Sequence, residues 1–590
     1  MSPLPPHGPV WIHDAGRCRW LRFAEPEAVL RADSLAAVPG VIAAAEAAAV
    51  RGRWAVGWLA YEAAPAFEPA LATHPPAPGL PLAWFGLFRE PHIATTLPPG
   101  VPQRLATEPD LGEAAFVEKI GQIQAAIARG DTYQVNLTFR LNSPAPADPW
   151  LIFSQLQGTQ PGGYGAYFDI GSHVVASASP ELFWRLEGET ITMRPMKGTR
   201  RRGRWPAEDA ALAAELVASE KDRAENVMIL DMARNDLGRI ARIGSVRVPQ
   251  LFTAERYPTL WQMTSTVEAE TTAGLSEIMR ACFPCASITG APKASTMRLI
   301  RALEDTPRGV YTGAIGFWAP GRQAQFSVGI RTAVVDRAAE RLTYGIGSGI
   351  VWDSSAVDEY QECLLKARTL TEPAEPFGLI ETLRWTPAEG FWLEDMHLER
   401  LALSAQRFGF RCDREAVRAA LRVAVRDADD AHRVRLVLTS AGETQVTAAA
   451  APPVAWVAPV AGRTPVCLRL APTAVDSREP WLYHKTTRRE VYERALAAAR
   501  ALGPCDDVVL WNAQGEITET SIGNLVVDDG QRLVTPPMTS GLLAGTFRRW
   551  LLERGAVEEG VITRALLARA RAVWRVNALR GWEAACLEGL

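Results

Sequence analysis

Residues 113–141 read EAAFVEKIGQIQAAIARGDTYQVNLTFRL. Phe116, Ile120, Ile123 and Ile127 recur at spacings of four, three and four, which is one face of a helix. Gly130-Asp131 stops that helix. Tyr133, Val135, Leu137, Phe139 and Leu141 then alternate with polar residues, the pattern of a half-buried strand. Outward from this helix-stop-strand unit, strand-like runs recur at 165–170, 174–178, 189–193, 324–335 and 341–345. Many strands with helices interspersed predict an α+β or layered α/β unit.

The chain has 590 residues, about four domain-equivalents at roughly 150 residues each. Lys+Arg (63) and Asp+Glu (66) leave a net charge of −3, without the basic excess of a dedicated nucleic-acid binder. Apolar runs such as 41–64 are broken by Glu46, Arg51, Arg53 and Glu62, so no membrane span is expected. The N-terminal MSPLPPHGP lacks a basic and an apolar region of a signal peptide. Eight scattered cysteines fit a reducing compartment, and a cytoplasmic location is expected. Cys282 and Cys285 form a C-x-x-C with no second pair nearby, and read as inert thiols.

One boundary stands out. Thr371-Glu-Pro-Ala-Glu-Pro376 packs two prolines and two acids into six residues, and a strand-like run begins at Phe377. The expected organisation is an N-terminal flank over 1–105, a catalytic domain over 106–371, a linker at 372–376 and a second domain over 377–590.

Two segments carry acids at helix spacing: Asp222 with Glu225, and Glu359 with Glu362, followed by Lys366. If the two helices converge, the result is an all-oxygen site suited to Mg²⁺ beside a cation. On spacing alone the same residues read as two solvated faces. The run Tyr344-Gly-Ile-Gly-Ser-Gly349 is no dinucleotide fingerprint. It suits a backbone cradle for a carboxylate, or equally a bulge or tight turn.

Taken in order, Glu181 in ASPEL, Arg194-Pro-Met-Lys-Gly-Thr199, Lys221–Asn226, Ser287-Ile-Thr-Gly-Ala-Pro-Lys293, Gly347-Ser-Gly349 and Glu359–Lys366 resemble the chorismate-utilising enzymes, and within them the aminodeoxychorismate synthase components I. The resemblance covers about 114–370 and is weaker before it. It implies a large sandwich of antiparallel sheets with helices outside. It also implies a covalent role for Lys197, where anthranilate synthases usually carry Ala: attack on C2 of chorismate, with ammonia then entering at C4. Glu181 would be the general acid. Glu225, Glu359 and Glu362 would hold Mg²⁺. Thr289, Ala291, Tyr311, Arg331, Gly347, Gly349 and Lys366 would hold the substrate. Gln134 stands where water-using relatives carry a base lysine, which argues for ammonia as nucleophile. Met196 (usually Ile) and Gln262 (often His) depart from the pattern. Among the 590 residues no cysteine sits in a glutaminase-like elbow, so a separate glutamine amidotransferase subunit is implied.

The second domain carries Asp395-Met-His-Leu-Glu-Arg-Leu401, Tyr483-His-Lys-Thr-Thr-Arg488, Gly515–Asn524 and Gly541–Arg548 in order. It resembles the class-IV pyridoxal-phosphate fold shared by branched-chain and D-amino-acid aminotransferases and aminodeoxychorismate lyase. That resemblance implies Lys485 as the Schiff-base lysine and proton shuttle, and Glu519 as partner of the pyridinium nitrogen. Gly545 and Thr546 would bind the cofactor phosphate at a helix N-terminus, with Arg400 beside them. Asn577 would lie near the substrate, although Ala578 replaces the Ser of the lyase turn. The combined expectation is a bifunctional enzyme that makes 4-aminobenzoate from chorismate and ammonia, using Mg²⁺ and pyridoxal 5'-phosphate. The alternatives are a second domain that is an amino-acid transaminase or a docking module, and an anthranilate synthase component I.

Overall fold

The computed structural model describes residues 8–588 except 101–102, 160–162, 259, 373–374, 453, 455 and 457–463. Part of the expected linker, 373–374, therefore lies outside the described residues, as do residues 1–7 of the N-terminal segment. Two compact units emerge: residues 1–201 with 212–375, and residues 202–211 with 376–590.

The first unit holds two sheets of ten strands each, every pairing antiparallel. Strand alternation builds the sandwich. In Trp54–Leu59, Val56 and Trp58 turn to the core between the sheets, whereas Ala55 and Leu59 turn outward. The inner core joins Ile12, Leu21, Phe168 and Val175 of one sheet to Trp58, Trp84, Ile315 and Phe317 of the other. On one outer face lie the helices Glu113–Ala128, Pro149–Thr159 and Ala356–Thr371. The other outer face packs on Val38–Val50, Glu220–Gly238 and Leu275–Cys282. This is the layered architecture that the resemblance implied. The first hundred residues supply strands to both sheets, Val10–Asp14 and Arg19–Phe23 to one and Trp54–Leu59 and Ala83–Phe88 to the other.

Two local readings change. The 324–335 run is not one strand: Gln323–Val328 belongs to one sheet and Thr332–Asp336 to the other. Arg331 makes the crossing with φ 52°, a left-handed conformation uncommon outside glycine. The glycine run is neither turn nor bulge. It forms the end of strand Arg341–Ile350, with Gly347 facing Thr138 and Gly349 facing Asn136 on Gln134–Pro144.

The second unit contains a four-stranded antiparallel sheet, whose strands Leu379–Thr386 and His432–Leu438 pack on the helices Glu394–Phe408 and Arg414–Ala424. It also contains an eight-stranded mixed sheet, in which Val466–Leu470 runs parallel to both neighbours. Residues 202–211, inside the range expected for the first catalytic domain, group with this unit. Arg204 donates to Ser477 O at 3.0 Å and to the Tyr483 hydroxyl at 3.2 Å.

Candidate functional site

A cleft of about 490 Å³ opens in the first unit. The helix Glu220–Gly238 brings Asp222 and Glu225 to it, Ala356–Thr371 brings Glu359, Glu362 and Lys366, and strand Met196–Arg201 brings Lys197. Glu181, Ser287, Tyr311, Arg331, Gly347 and Gly349 complete the wall. Convergence of the two acidic helices therefore holds.

Lys197 is the centre of this cleft. Its ammonium lies 3.8 Å from Glu225 and is pushed below the ordinary lysine range by burial, which Glu225 only partly offsets. A Cβ added at Gly349 would fall 2.4 Å from Lys197 Nζ and 3.1 Å from Gln134 Nε2, so the bare glycine makes room for both side chains. Gln134 is fully buried, and neither of its amide atoms has a hydrogen-bond partner. Such an orphaned amide is costly, and it lies behind Gly349 of the cleft wall. Glu181 is also buried, with Oε1 lacking a partner. Burial pushes its carboxyl up to about 7, against a weaker pull from Ser287 and Lys197.

Other expected residues are already engaged. Arg331 donates to Lys366 O, and Lys366 Nζ bridges Glu362 at 2.7 Å and Gly347 O at 3.1 Å. Burial would raise the Glu362 carboxyl, but Lys366 wins and holds it below the usual range. Glu359 accepts from Ser348 and, at 2.8 Å, from Ser354. The acids expected to hold Mg²⁺ thus share a cleft but not a coordination centre. Among the described residues no three His, Cys, Asp or Glu side chains stand together to hold a metal. The cause is local: Glu225 leans on Lys197, Glu362 on Lys366 and Glu359 on two serines. Thr289 and Ala291 are not in the cleft wall. The Thr289 hydroxyl turns back to Cys285 O and Ala286 O, and Ala291 pairs with Gln134 at the sheet edge. Cys282 and Cys285 are buried free thiols, both pushed up by burial.

The second unit has a cleft of about 290 Å³ that gathers Arg400, Lys485, Glu519, Gly545, Thr546 and Asn577. Lys485 sits on an extended segment whose carbonyl accepts from Ile380 N at 2.7 Å. Its amine is drawn down to about 8, by burial first and then by Arg400. Glu519 is buried and raised to about 8 by burial, and accepts from the Tyr492 hydroxyl (2.8 Å) and Leu543 N (3.1 Å). Thr546 begins the helix Thr546–Glu553, with Gly545 as its N-cap. Asn577 lines the cleft, but its Oδ1 is taken by the N–H groups of Leu579 and Arg580 at 3.0 and 2.9 Å. A half-buried amine of lowered pKa, a buried acid in the same cleft and a helix N-terminus beside an arginine fit pyridoxal 5'-phosphate.

Sequence reasoning missed several residues here. Glu381 and His397 stand behind Arg400 and Thr546, Tyr492 behind Glu519, and Asn226 behind Lys197, whose carbonyl it meets at 3.4 Å. Arg433 and Arg435 also line the second cleft. One signal was present for Glu381: a charge inside the apolar strand run 379–383 needs a buried partner.

A model described as chorismate binding enzyme matches residues 8–372, and one described as amino-transferase class IV matches residues 378–585. The aminodeoxychorismate synthase of Streptomyces pristinaespiralis is 45% identical over 257 residues, 43% of this chain and 36% of that protein. Anthranilate synthase component 1 3 of Haloarcula marismortui is 38% identical over 291 residues, 49% of this chain and 57% of that protein. The chain thus spans between about a third and somewhat over half of these relatives. Among solved structures, anthranilate synthase component I from Streptococcus pneumoniae shares the fold, with a TM-score of 0.53 at 23% identity over 63% of this chain and 94% of that one.

Proposed function

We propose, from the premise that this chain belongs to the chorismate binding enzymes, that it makes 4-aminobenzoate in two steps, one on each unit. In the first step Lys197 Nζ gives its electron pair to C2 of chorismate as the 4-hydroxyl departs, and Glu181 protonates that oxygen. Ammonia then forms the C–N bond at C4 and the lysine leaves. A separate glutamine amidotransferase supplies the ammonia. The observation that carries this reading is the largely buried amine of Lys197, its side chain 16% exposed, beside the unsatisfied amide of Gln134. An amide cannot deprotonate water, whereas ammonia needs no base to be nucleophilic. Glu181, raised to about 7, keeps a proton to donate near neutral pH. Mg²⁺ carries no step in this reading, because Glu225 and Glu362 would first have to release Lys197 and Lys366.

In the second step the second unit eliminates pyruvate from 4-amino-4-deoxychorismate. Bound pyridoxal 5'-phosphate would supply an electron sink for the bond cleavage. Lys485 would anchor it and move the proton, Glu519 would face its ring nitrogen, and Arg400, Gly545 and Thr546 would hold its phosphate. A second reading, transamination of an ordinary amino acid, is favoured by one residue, Ala578 in place of a hydroxyl-bearing Ser. Mass spectrometry of the products from chorismate and ammonium, with and without pyridoxal 5'-phosphate, separates the two. The expected products are 4-aminobenzoate with cofactor and 4-amino-4-deoxychorismate without it. Anthranilate would overturn the first step. Failure to pass beyond 4-amino-4-deoxychorismate with cofactor present would overturn the second.

A further inference from the structure

Behind the second cleft lies a chain of hydrogen bonds whose proton count is incomplete. Glu381 is 2% exposed and takes Arg400 through two contacts, Nε at 2.9 Å and Nη2 at 2.7 Å. It also takes His397 Nδ1 at 2.6 Å. The other ring nitrogen of His397, Nε2, is 3.2 Å from the hydroxyl of Thr546. His397 itself is 1% exposed, and with Thr546 it belongs to the wall of the second cleft.

A carboxylate only accepts, so Nδ1 carries a proton. A neutral His397 then has a bare Nε2, which also only accepts, and the single hydroxyl proton of Thr546 is committed to it. An anion in the cleft offers acceptors alone. Thr546 can donate to that anion only by withdrawing its proton from His397. That would leave two lone pairs facing each other at 3.2 Å in a buried place. A second proton on the imidazole removes the conflict: Nε2–H donates to the Thr546 oxygen, and the Thr546 hydroxyl turns to the anion.

The charges facing His397 are Glu381 from the neighbouring strand, Arg400 one turn along its own helix and Lys485 from the extended segment, with the neutral Thr546 opposite. Burial, with Arg400 and Lys485, holds the imidazole below its ordinary pKa despite Glu381. An incoming dianion reverses that balance. We infer that filling this cradle with a phosphate-type dianion takes one proton from solvent onto His397, and that Glu381 is the positioning residue that holds the resulting imidazolium. The inference rests on the reading of the second cleft as an anion cradle.

Sulfate is the probe, because its charge is constant over the working pH range. Calorimetric titration of the full chain, freed of cofactor, at pH 7 in buffers of different ionisation enthalpy counts the protons. At that pH Lys485, at about 8, already carries most of its charge. The expected uptake approaches one proton per sulfate displaceable by pyridoxal 5'-phosphate. Affinity should weaken by up to about tenfold per pH unit as pH rises. His397→Gln should bind sulfate with no uptake and a flat pH profile, and Glu381→Gln should bind more weakly with reduced uptake. Thermal melting of both variants confirms that they fold. Sulfate binding without proton uptake in the wild type, or uptake retained in His397→Gln, overturns the inference while leaving the cradle intact. If no displaceable sulfate binds at all, the cradle itself fails and this inference with it.

Discussion

Replacing Gly349 by alanine tests the first cleft without removing a reactive group. The added methyl would sit 2.4 Å from Lys197 Nζ, about 1 Å inside ordinary contact, and 3.1 Å from Gln134 Nε2. Lys197 is flexible at its tip, so the amine swings aside and the fold is spared. Gly349 lies in a paired strand and needs no left-handed backbone. Alanine there should shift stability by no more than about 1 kcal/mol, with the sign set by lost unfolded-state entropy against the tight Gln134 contact. Displacing a nucleophile by about 1 Å costs on the order of 100-fold in turnover. Ammonium-dependent consumption of chorismate should therefore fall about 100-fold in kcat with a small change in KM, and the second unit's reaction on supplied 4-amino-4-deoxychorismate should be unchanged. Wild-type kcat in Gly349→Ala would refute the placement of Lys197 as nucleophile. A loss of activity accompanied by destabilisation beyond about 2 kcal/mol would mean that the methyl had disturbed the sheet instead.

Glu181→Gln should slow the first step by about 100-fold or more and remove the alkaline limb from the pH profile of the residual activity, since that limb reflects loss of the Glu181 proton above about 7. Because that folded-state pKa lies above the unfolded one, native Glu181 loses stability as pH rises through the interval, so the Gln variant should be the more stable at pH 8 by about 1–3 kcal/mol in chemical denaturation. Lys485→Ala should let 4-amino-4-deoxychorismate accumulate from chorismate and ammonium, as followed by chromatography, and continued 4-aminobenzoate formation at the wild-type rate would exclude this lysine. Arg308→Ala takes from the buried Glu304 its closest cation, at 2.6 Å, leaving it the Thr138 N–H and hydroxyl and the more distant Arg140 (3.8 Å), and removes the donors to Asn136 O and Ile288 O. It should cost about 2–4 kcal/mol in urea unfolding, and a cost under 1 kcal/mol would show that the pair adds little.

Much of the arrangement was legible because it is local. The helix at Glu113–Ala128 and the strand at Gln134–Pro144 follow from periodicities of 3.6 and 2 that each segment carries alone. The same holds for the acids at i and i+3 on Glu220–Gly238 and Ala356–Thr371, whose shared face is a property of one helix. The strand, however, is not half-buried as its pattern implied: its polar face, Gln134, Asn136, Thr138 and Arg140, is buried too. What failed were readings in which local pattern and long-range pairing compete. The 324–335 run carries no strong turn signal, yet Arg331 breaks it and sends its halves to opposite sheets. The glycines at 347 and 349 have a turn's composition, but pairing with Gln134–Pro144 keeps them extended.

By itself, the order of short motifs determined the kinds of groups available: a lysine within Arg194–Thr199, carboxylates at helix spacing, and a second lysine and acid after the break at 371–376. Covalent spacing sets which residues share a helix face or a strand edge. Only the tertiary structure decided which of them meet and how they are spent. It brought Lys197 to the bare backbone of Gly349 beside the unsatisfied Gln134, and tied Glu225 and Glu362 to lysines rather than to one another. It also set Glu381 behind His397 and Arg400. The physical reason is that desolvation and partner choice depend on through-space neighbours contributed by distant segments, which lower a lysine or raise a carboxyl far more than chain-local sequence does.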